Sequence, residues 1–209
     1  MCDAMMRLYE FAPTRSIRAR WMLQELGEEF EAVTVNLMTG DHRRPEFLKI
    51  NPAGRVPTLV DGDLVITESV AIVLYLAERD PQRRFLPRDI MLRSQVYRWL
   101  LFAATELEQP LWRIARHTAL YPQELRLSAE PSLARQDFAE MAALPERHMK
   151  DRRLVVGNEV TVTDFVTAYT LDWANEAWLL GEFPKLTYIL SVCIPARARR
   201  LPSLRPSRA

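Results

Sequence analysis

Glu68 and Ser69 set a carboxylate and a hydroxyl side by side where a helix begins, directly after the apolar run Leu64-Val65-Ile66-Thr67. The first amides of a helix have no acceptor within it, and the helix dipole adds positive potential at that end. Such a turn suits an anion. Two further hydroxyls, Thr14 and Ser16, stand in the turn Ala12-Pro13-Thr14-Arg15-Ser16 between the first apolar strand and the first helix. A hydroxyl donor at a helix start can hold a negatively charged atom. Dithiol and zinc chemistry lack their ligands. Cys2 and Cys193 stand at opposite ends of the chain, with no C-x-x-C and no histidine cluster, so both are read as ordinary reduced thiols and no metal is expected.

The elements that must hold these groups are readable from periodicity. Val56 to Val60 and Leu64 to Thr67 are apolar, β-branched runs separated by Asp61-Gly62-Asp63, which predicts a β-hairpin. After Thr67, the apolar positions Val70, Ile72, Val73, Leu76 and Ala77 fall at helical spacing and stop at Asp80-Pro81. Upstream, Met6 to Phe11 reads as a strand, Ile17 to Leu26 as a helix stopped by Gly27, and Phe30 to Val35 as a strand. Pro45 to Ile50 gives a turn or two of amphipathic helix before Asn51-Pro52 breaks it. The order β-α-β-α-β-β-α with a right-handed first crossover predicts a four-stranded mixed sheet with helices on both faces.

From Met91 onward the pattern is helical. Val96, Trp99, Leu100, Ala103, Leu107, Leu111 and Ile114 keep one apolar stripe, with a kink or break expected at Pro110. Tyr121 to Pro131 reads as a loop and Leu133 to Met149 as a helix. Thr161 as N-cap with Asp164 three residues on forms a capping box, Val160 can staple against Phe165, and that helix runs to Trp178. The fold class is therefore an α+β domain over residues 1–82, a proline-punctuated linker over 83–90 and an all-α helical bundle over 91–209. The chain of 209 residues carries 28 basic and 27 acidic residues, which gives no charge excess to draw nucleic acid or an anionic membrane. No apolar run approaches the roughly 20 residues that span a bilayer, and no apolar core follows a basic flank at the start, so a cytoplasmic protein is expected. The tail from Arg197 carries five arginines and no acid, and reads as a solvated terminus.

These segments together resemble the soluble glutathione transferases. The carriers are Leu8-Tyr9, the stretch Arg18-Ala19-Arg20-Trp21-Met22-Leu23-Gln24-Glu25-Leu26-Gly27, the block Asn51 to Leu59, Thr67-Glu68-Ser69, the box Thr161 to Asp164 after Gly157, and Phe183-Pro184-Lys185-Leu186. The resemblance covers nearly the whole chain. It implies a thioredoxin-like first domain, a helical second domain, a cytoplasmic homodimer, and glutathione as co-substrate with no prosthetic group. Within the family, the similarity is to bacterial theta- or beta-like members.

The resemblance also assigns roles along the tripeptide. It implies a cis Val56-Pro57 peptide, with the Val56 N–H and C=O turned to pair with the cysteinyl backbone as an added strand. The γ-glutamyl carboxylate would go to Ser69 and the helix amides, and its ammonium to Glu68. His42 matches a histidine near the glycine carboxylate, and Lys49 and Arg55 could reach that end. A thiol near pKa 8.5 must fall by about 2 units to be mostly thiolate at neutral pH, which needs roughly 2.7 kcal/mol. Matching theta- and zeta-like members sets their serine at Thr14, whereas matching the proline of beta-like members to Pro13 sets their cysteine at Ser16. The residue departs from the pattern in both matches. Either hydroxyl can serve, with Ser16 ahead because it is unbranched and next to the helix start. Tyr9, inside the strand, is read as packed. A hydrophobic second substrate is expected between the domains, against the first long helix of the second, at Phe102, Trp112 and Arg116, with Glu106 and Arg113 as further candidates.

The activity this implies is glutathione transfer, in which the bound thiol is deprotonated and attacks an electrophilic carbon or a peroxide. Two other readings use the same fold: a glutathione-transferase-like protein-interaction module with little turnover, and a glutathione-dependent isomerase, dehalogenase or reductase. Thioredoxin-type exchange fails because Pro13 to Ser16 contains no cysteine.

Overall fold

The computed structural model describes residues 5–193. They fall into two units that part between Arg83 and Arg84. The first contains β1 (Met6–Glu10), α1 (Ser16–Leu26), β2 (Phe30–Thr34), α2 (Pro45–Leu48), β3 (Thr58–Asp61), β4 (Leu64–Thr67) and α3 (Ser69–Arg79). The strand order is β2-β1-β3-β4, with β1 parallel to β2 and both other pairings antiparallel. This is the expected mixed thioredoxin-like sheet. Leu8 and Leu59 are register partners and fully buried on one face. Tyr9 and Val60 alternate to the other face, where Phe47 of α2 and Val35 complete a cluster. Burial on both faces of β1 and β3 is what makes the short apolar runs strands and brings helices to each side.

The helix ends follow local chemistry. Gly27 takes φ 73° after α1, and its amide returns to the Gln24 carbonyl at 3.2 Å. Gly62, at φ 57°, turns the hairpin between Asp61 and Leu64.

The second unit contains α4 (Ile90–Phe102), α5 (Glu108–Ala115), α6 (Glu130–His148), α7 (Val162–Glu176) and α8 (Pro184–Cys193). Phe85 and Leu86 belong to it: the Phe85 carbonyl accepts from the Val162 amide at 2.9 Å, its ring meets Phe165 edge-on at 5.2 Å, and Leu86 is fully buried. Phe165 thus packs on Phe85, while Val160 stays exposed. Asp164 reaches back to the Thr161 amide at 2.8 Å, closing the expected box. Pro110 does not break the helix. It falls in the first turn of α5, and the irregularity lies just before it as a π-helical turn at Ala103–Leu107. A proline offers no amide and crowds the carbonyl four residues back, so a widened ladder ahead of it relieves both problems. α6 starts earlier than the periodicity predicts, with Pro131 inside its first turn, where a missing amide is harmless.

Candidate functional site

The site begins at the start of α3. Glu68 takes φ 66° and ψ 118°, a conformation that an L-residue holds only at a strain of about 1–3 kcal/mol. Its carboxylate is exposed. Ile72 is the first residue whose amide closes onto the helix, at 3.0 Å from the Glu68 carbonyl, which leaves the amides of Ser69, Val70 and Ala71 without a helical acceptor. Ser69 is 4% exposed, and its hydroxyl oxygen accepts from Arg18 Nη1 at 3.2 Å. Because that oxygen is the acceptor, the Ser69 proton is left to be donated elsewhere. Arg18 itself is 1% exposed and ranks among the largest fully buried side chains. The turn is thus backed by a buried guanidinium. Sequence reasoning missed it, although an arginine in register with the buried Ala19, Met22 and Leu23 was the available signal.

The second part is the stretch before β3. Val56-Pro57 is cis. Val56 lies outside β3, and among the described residues neither its N–H nor its C=O has a hydrogen-bond partner. The stretch is clamped by Asn51, which is buried: its Nδ2 donates to the Arg55 carbonyl at 2.8 Å and to Thr58 Oγ1 at 3.0 Å, and its Oδ1 accepts from the Ala53 amide at 3.0 Å. Asn51 holds the backbone that Val56 presents. Arg55 is exposed. His42 sits in a single 3-10 turn, Asp41–Arg43, whose backbone abuts Gly54: a Cβ there would lie 2.7 Å from the His42 carbonyl oxygen. His42 Nδ1 is buried without a hydrogen-bond partner among the described residues. Lys49 is exposed at the C-cap of α2.

The third part is the turn after β1, where Ala12-Pro13 is also cis. Ser16 is the first residue of α1 and 2% exposed. Its Oγ accepts from the Phe11 amide at 3.3 Å and lies 2.8 Å from Thr14 Oγ1. Thr14 Oγ1 makes a short contact with the Phe11 carbonyl and accepts from the Ser16 amide at 3.2 Å. A carbonyl only accepts, so Thr14 donates to Phe11 and Ser16 donates to Thr14. Ser16 is thus the more buried of the two hydroxyls, and Thr14 is half-buried. Tyr9 is packed in the core, its ring 5.8 Å from that of Phe47.

In the second unit, Trp112 and Arg116 come together, with the guanidinium 5.8 Å from the ring centroid. Trp112 Nε1 donates to the buried Glu108 at 3.3 Å, and its ring meets Trp173 edge-on at 5.2 Å. Phe102 does not join them and instead packs edge-on against Trp99 at 5.4 Å. Arg113 is held by Glu130 and Asp137, whose hydrogen bonds raise its already high pKa. Glu106 is exposed and accepts from Thr105. Among the described residues there is no group of metal-ligating side chains, and no helix is long and apolar enough to cross a membrane.

Comparison with known proteins fits this geometry. Residues 4–78 match the family described as glutathione S-transferase, N-terminal domain. The chain belongs to the glutathione S-transferase family: it is 34% identical over 197 residues to glutathione S-transferase 1 of Dianthus caryophyllus, covering 87% of this chain and 83% of that relative. It is similar as well to a zeta-class glutathione S-transferase of Euphorbia esula, at 36% identity over 163 residues, 76% of this chain and 71% of the relative. Among solved structures, Ure2p in complex with glutathione superposes with a TM-score of 0.85 at 20% identity, covering 95% of this chain and 97% of the other. At that identity the likeness is one of fold.

Proposed function

We propose that this chain is a cytoplasmic glutathione transferase that binds glutathione in its first unit and presents the sulfur as a thiolate to a hydrophobic electrophile. The observation that carries this reading is the pairing of two unsatisfied surfaces: the Val56 backbone at the cis Val56-Pro57 peptide, and the Ser69 hydroxyl and α3 amides backed by Arg18. An extended peptide adds to the first as a strand, and its γ-glutamyl carboxylate takes the second. Glu68 then meets the ammonium, and His42 with Arg55 the glycine end. Thr14 is the donor to the sulfur and Ser16 positions it. The Ser16 proton is engaged with Thr14, whereas the Thr14 hydroxyl needs only to swing from the Phe11 carbonyl to the thiolate. That choice favours the hydroxyl-using, theta- or zeta-like side of the resemblance over the cysteine-using, beta-like one. Trp112 and Arg116 are the candidates for the electrophile, and the active form is a homodimer of twice the 24.3 kDa chain.

The test is retention on glutathione-agarose together with turnover of a generic aryl halide. Thr14→Ala should lower kcat/KM by about 10 to 1000-fold and raise the pKa of the bound thiol, with glutathione affinity nearly kept. Full activity in Thr14→Ala would sink this activation scheme. A second reading, a glutathione-binding module with little turnover, is favoured by one detail: the Thr14 proton is already engaged with Phe11. Retention without turnover would select it.

A further inference from the structure

The second unit holds two adjoining clefts that neither the transferase chemistry nor the candidate electrophile residues use. One, of about 800 Å³, lies at the end of α6 and in the segment after it. Arg147, Lys150, Arg152 and Arg153 line it, with Asp151 as its one carboxylate. All four cations are exposed, and none has an ion-pair partner among the described residues. Four cations within seven residues, with Asp151 alone against them, give the cleft a positive excess that draws an anion. The second cleft, of about 470 Å³, shares His148, Arg152 and Gly157 with the first, but its floor is apolar, made by Leu92, Trp99, Val155 and Val156. The floor is built rather than loose. Trp99 stacks on His148 at 4.3 Å, and His148 Nε2 donates to the Val155 carbonyl at 2.8 Å, so α4, α6 and the segment before α7 are tied at the shared wall. Arg98 lies over the Trp99 ring at 4.8 Å and adds a fifth cation at the rim.

We infer that the paired clefts at the end of α6 form a second ligand site for a small organic polyphosphate of the nucleotide type, its phosphates among Arg147, Lys150, Arg152 and Arg153 and its apolar body over Val155 and Val156. A single carboxylate would need one or two of these cations. A chain of phosphates uses all of them, since each guanidinium can bind phosphate oxygens in a bidentate fork. The lobe beside them has the volume of a small-molecule pocket and sets Gln95, Arg98 and His148 against its apolar side chains. Arg152, which lines both clefts, is the pivot at which head and body meet.

The experiment is isothermal titration of the full chain with ATP and, separately, with inorganic pyrophosphate at physiological salt. ATP should bind saturably, one per chain, with Kd below about 1 mM. The double variant Arg152→Glu, Arg153→Glu, exposed and checked for an unchanged melt, should weaken ATP by at least about tenfold. Leu92→Asp, in the apolar lobe, should weaken ATP several-fold and leave pyrophosphate within about twofold. Saturable binding of neither probe would overturn the site. Equal binding by the charge-reversed variant would also overturn it, as would binding seen only with duplex DNA or anionic vesicles. ATP no tighter than pyrophosphate and insensitive to Leu92→Asp would overturn the assignment of the apolar body.

Discussion

Ser69 shows how much chemistry rests on the direction of one proton. Its oxygen accepts from Arg18, so the hydroxyl hydrogen stays available to a further acceptor, at a helix start with three amides that α3 cannot satisfy internally. On the proposed reading, Ser69→Ala removes one donor to the γ-glutamyl carboxylate, and it also takes one partner from the Arg18 guanidinium. Glutathione affinity should fall about tenfold, equivalent to roughly 1.4 kcal/mol. Equilibrium titration checks it, and an affinity unchanged within twofold would remove Ser69 from the site. Serine and glutamate at a helix start were legible because their types and position are themselves the signal. Arg18 and Asn51 were not. Each is a buried polar residue whose role comes from a partner distant in sequence or from a loop's backbone, and spacing does not encode such closures. The order of the two hydroxyls was hidden for the same reason: only the Phe11 backbone, fixed by β1, decides that Ser16 donates to Thr14.

At the scale of elements, Gly54 joins the 3-10 turn of His42 to the stretch that presents Val56. It takes φ 59°, and a methyl group on it would sit 2.7 Å from a backbone oxygen, which no rotamer relieves. Gly54→Ala should cost about 2–3 kcal/mol, read from urea midpoints, and should weaken glutathione binding along with stability. The box that opens α7 is a second such joint. Asp164 accepts from the amides of Val155 and Thr161 and from the Thr161 hydroxyl, so Asp164→Ala should cost about 3 kcal/mol by stranding buried donors. Burial pushes the Asp164 carboxyl above the ordinary carboxylate value, while those three hydrogen bonds pull it back. A carboxyl raised on folding contributes stability that is fully present below its unfolded value and is lost as pH rises through its folded value. The stability difference between the native chain and Asp164→Asn should therefore shrink as pH rises through that window. A difference that grows with pH would show that the hydrogen bonds outweigh burial, and one independent of pH that the two cancel. Hairpin, Gly27 stop and capping box were all legible because each is specified by a few adjacent residues. The irregularity near Pro110 was misplaced because a π turn is a property of the whole helical ladder, which lets the strain appear ahead of the residue that causes it.

For the molecule as a whole, the change from alternating to purely helical patterning announces two units, and the structure parts between Arg83 and Arg84. Phe85 and Leu86 are built into the second unit, although a proline-rich composition reads as a tether. Every residue assigned to glutathione lies in the first unit. A ligand that binds only the folded form stabilises the cooperative unit holding its site, by about 2.7 kcal/mol at a hundred times its Kd. Saturating glutathione should therefore raise the melting temperature of whichever transition contains the first unit. The double variant Glu68→Gln, Ser69→Ala should abolish that rise, measured from its own ligand-free melt, which falls because Arg18 loses the Ser69 hydroxyl. If the chain melts in one step, that step moves entire. If it melts in two, only one moves, and the second unit reports separately on nucleotide added to the basic cleft. A melt unmoved by glutathione at millimolar concentration would mean that the Val56 backbone and the α3 turn, for all their unsatisfied donors, bind something other than this tripeptide.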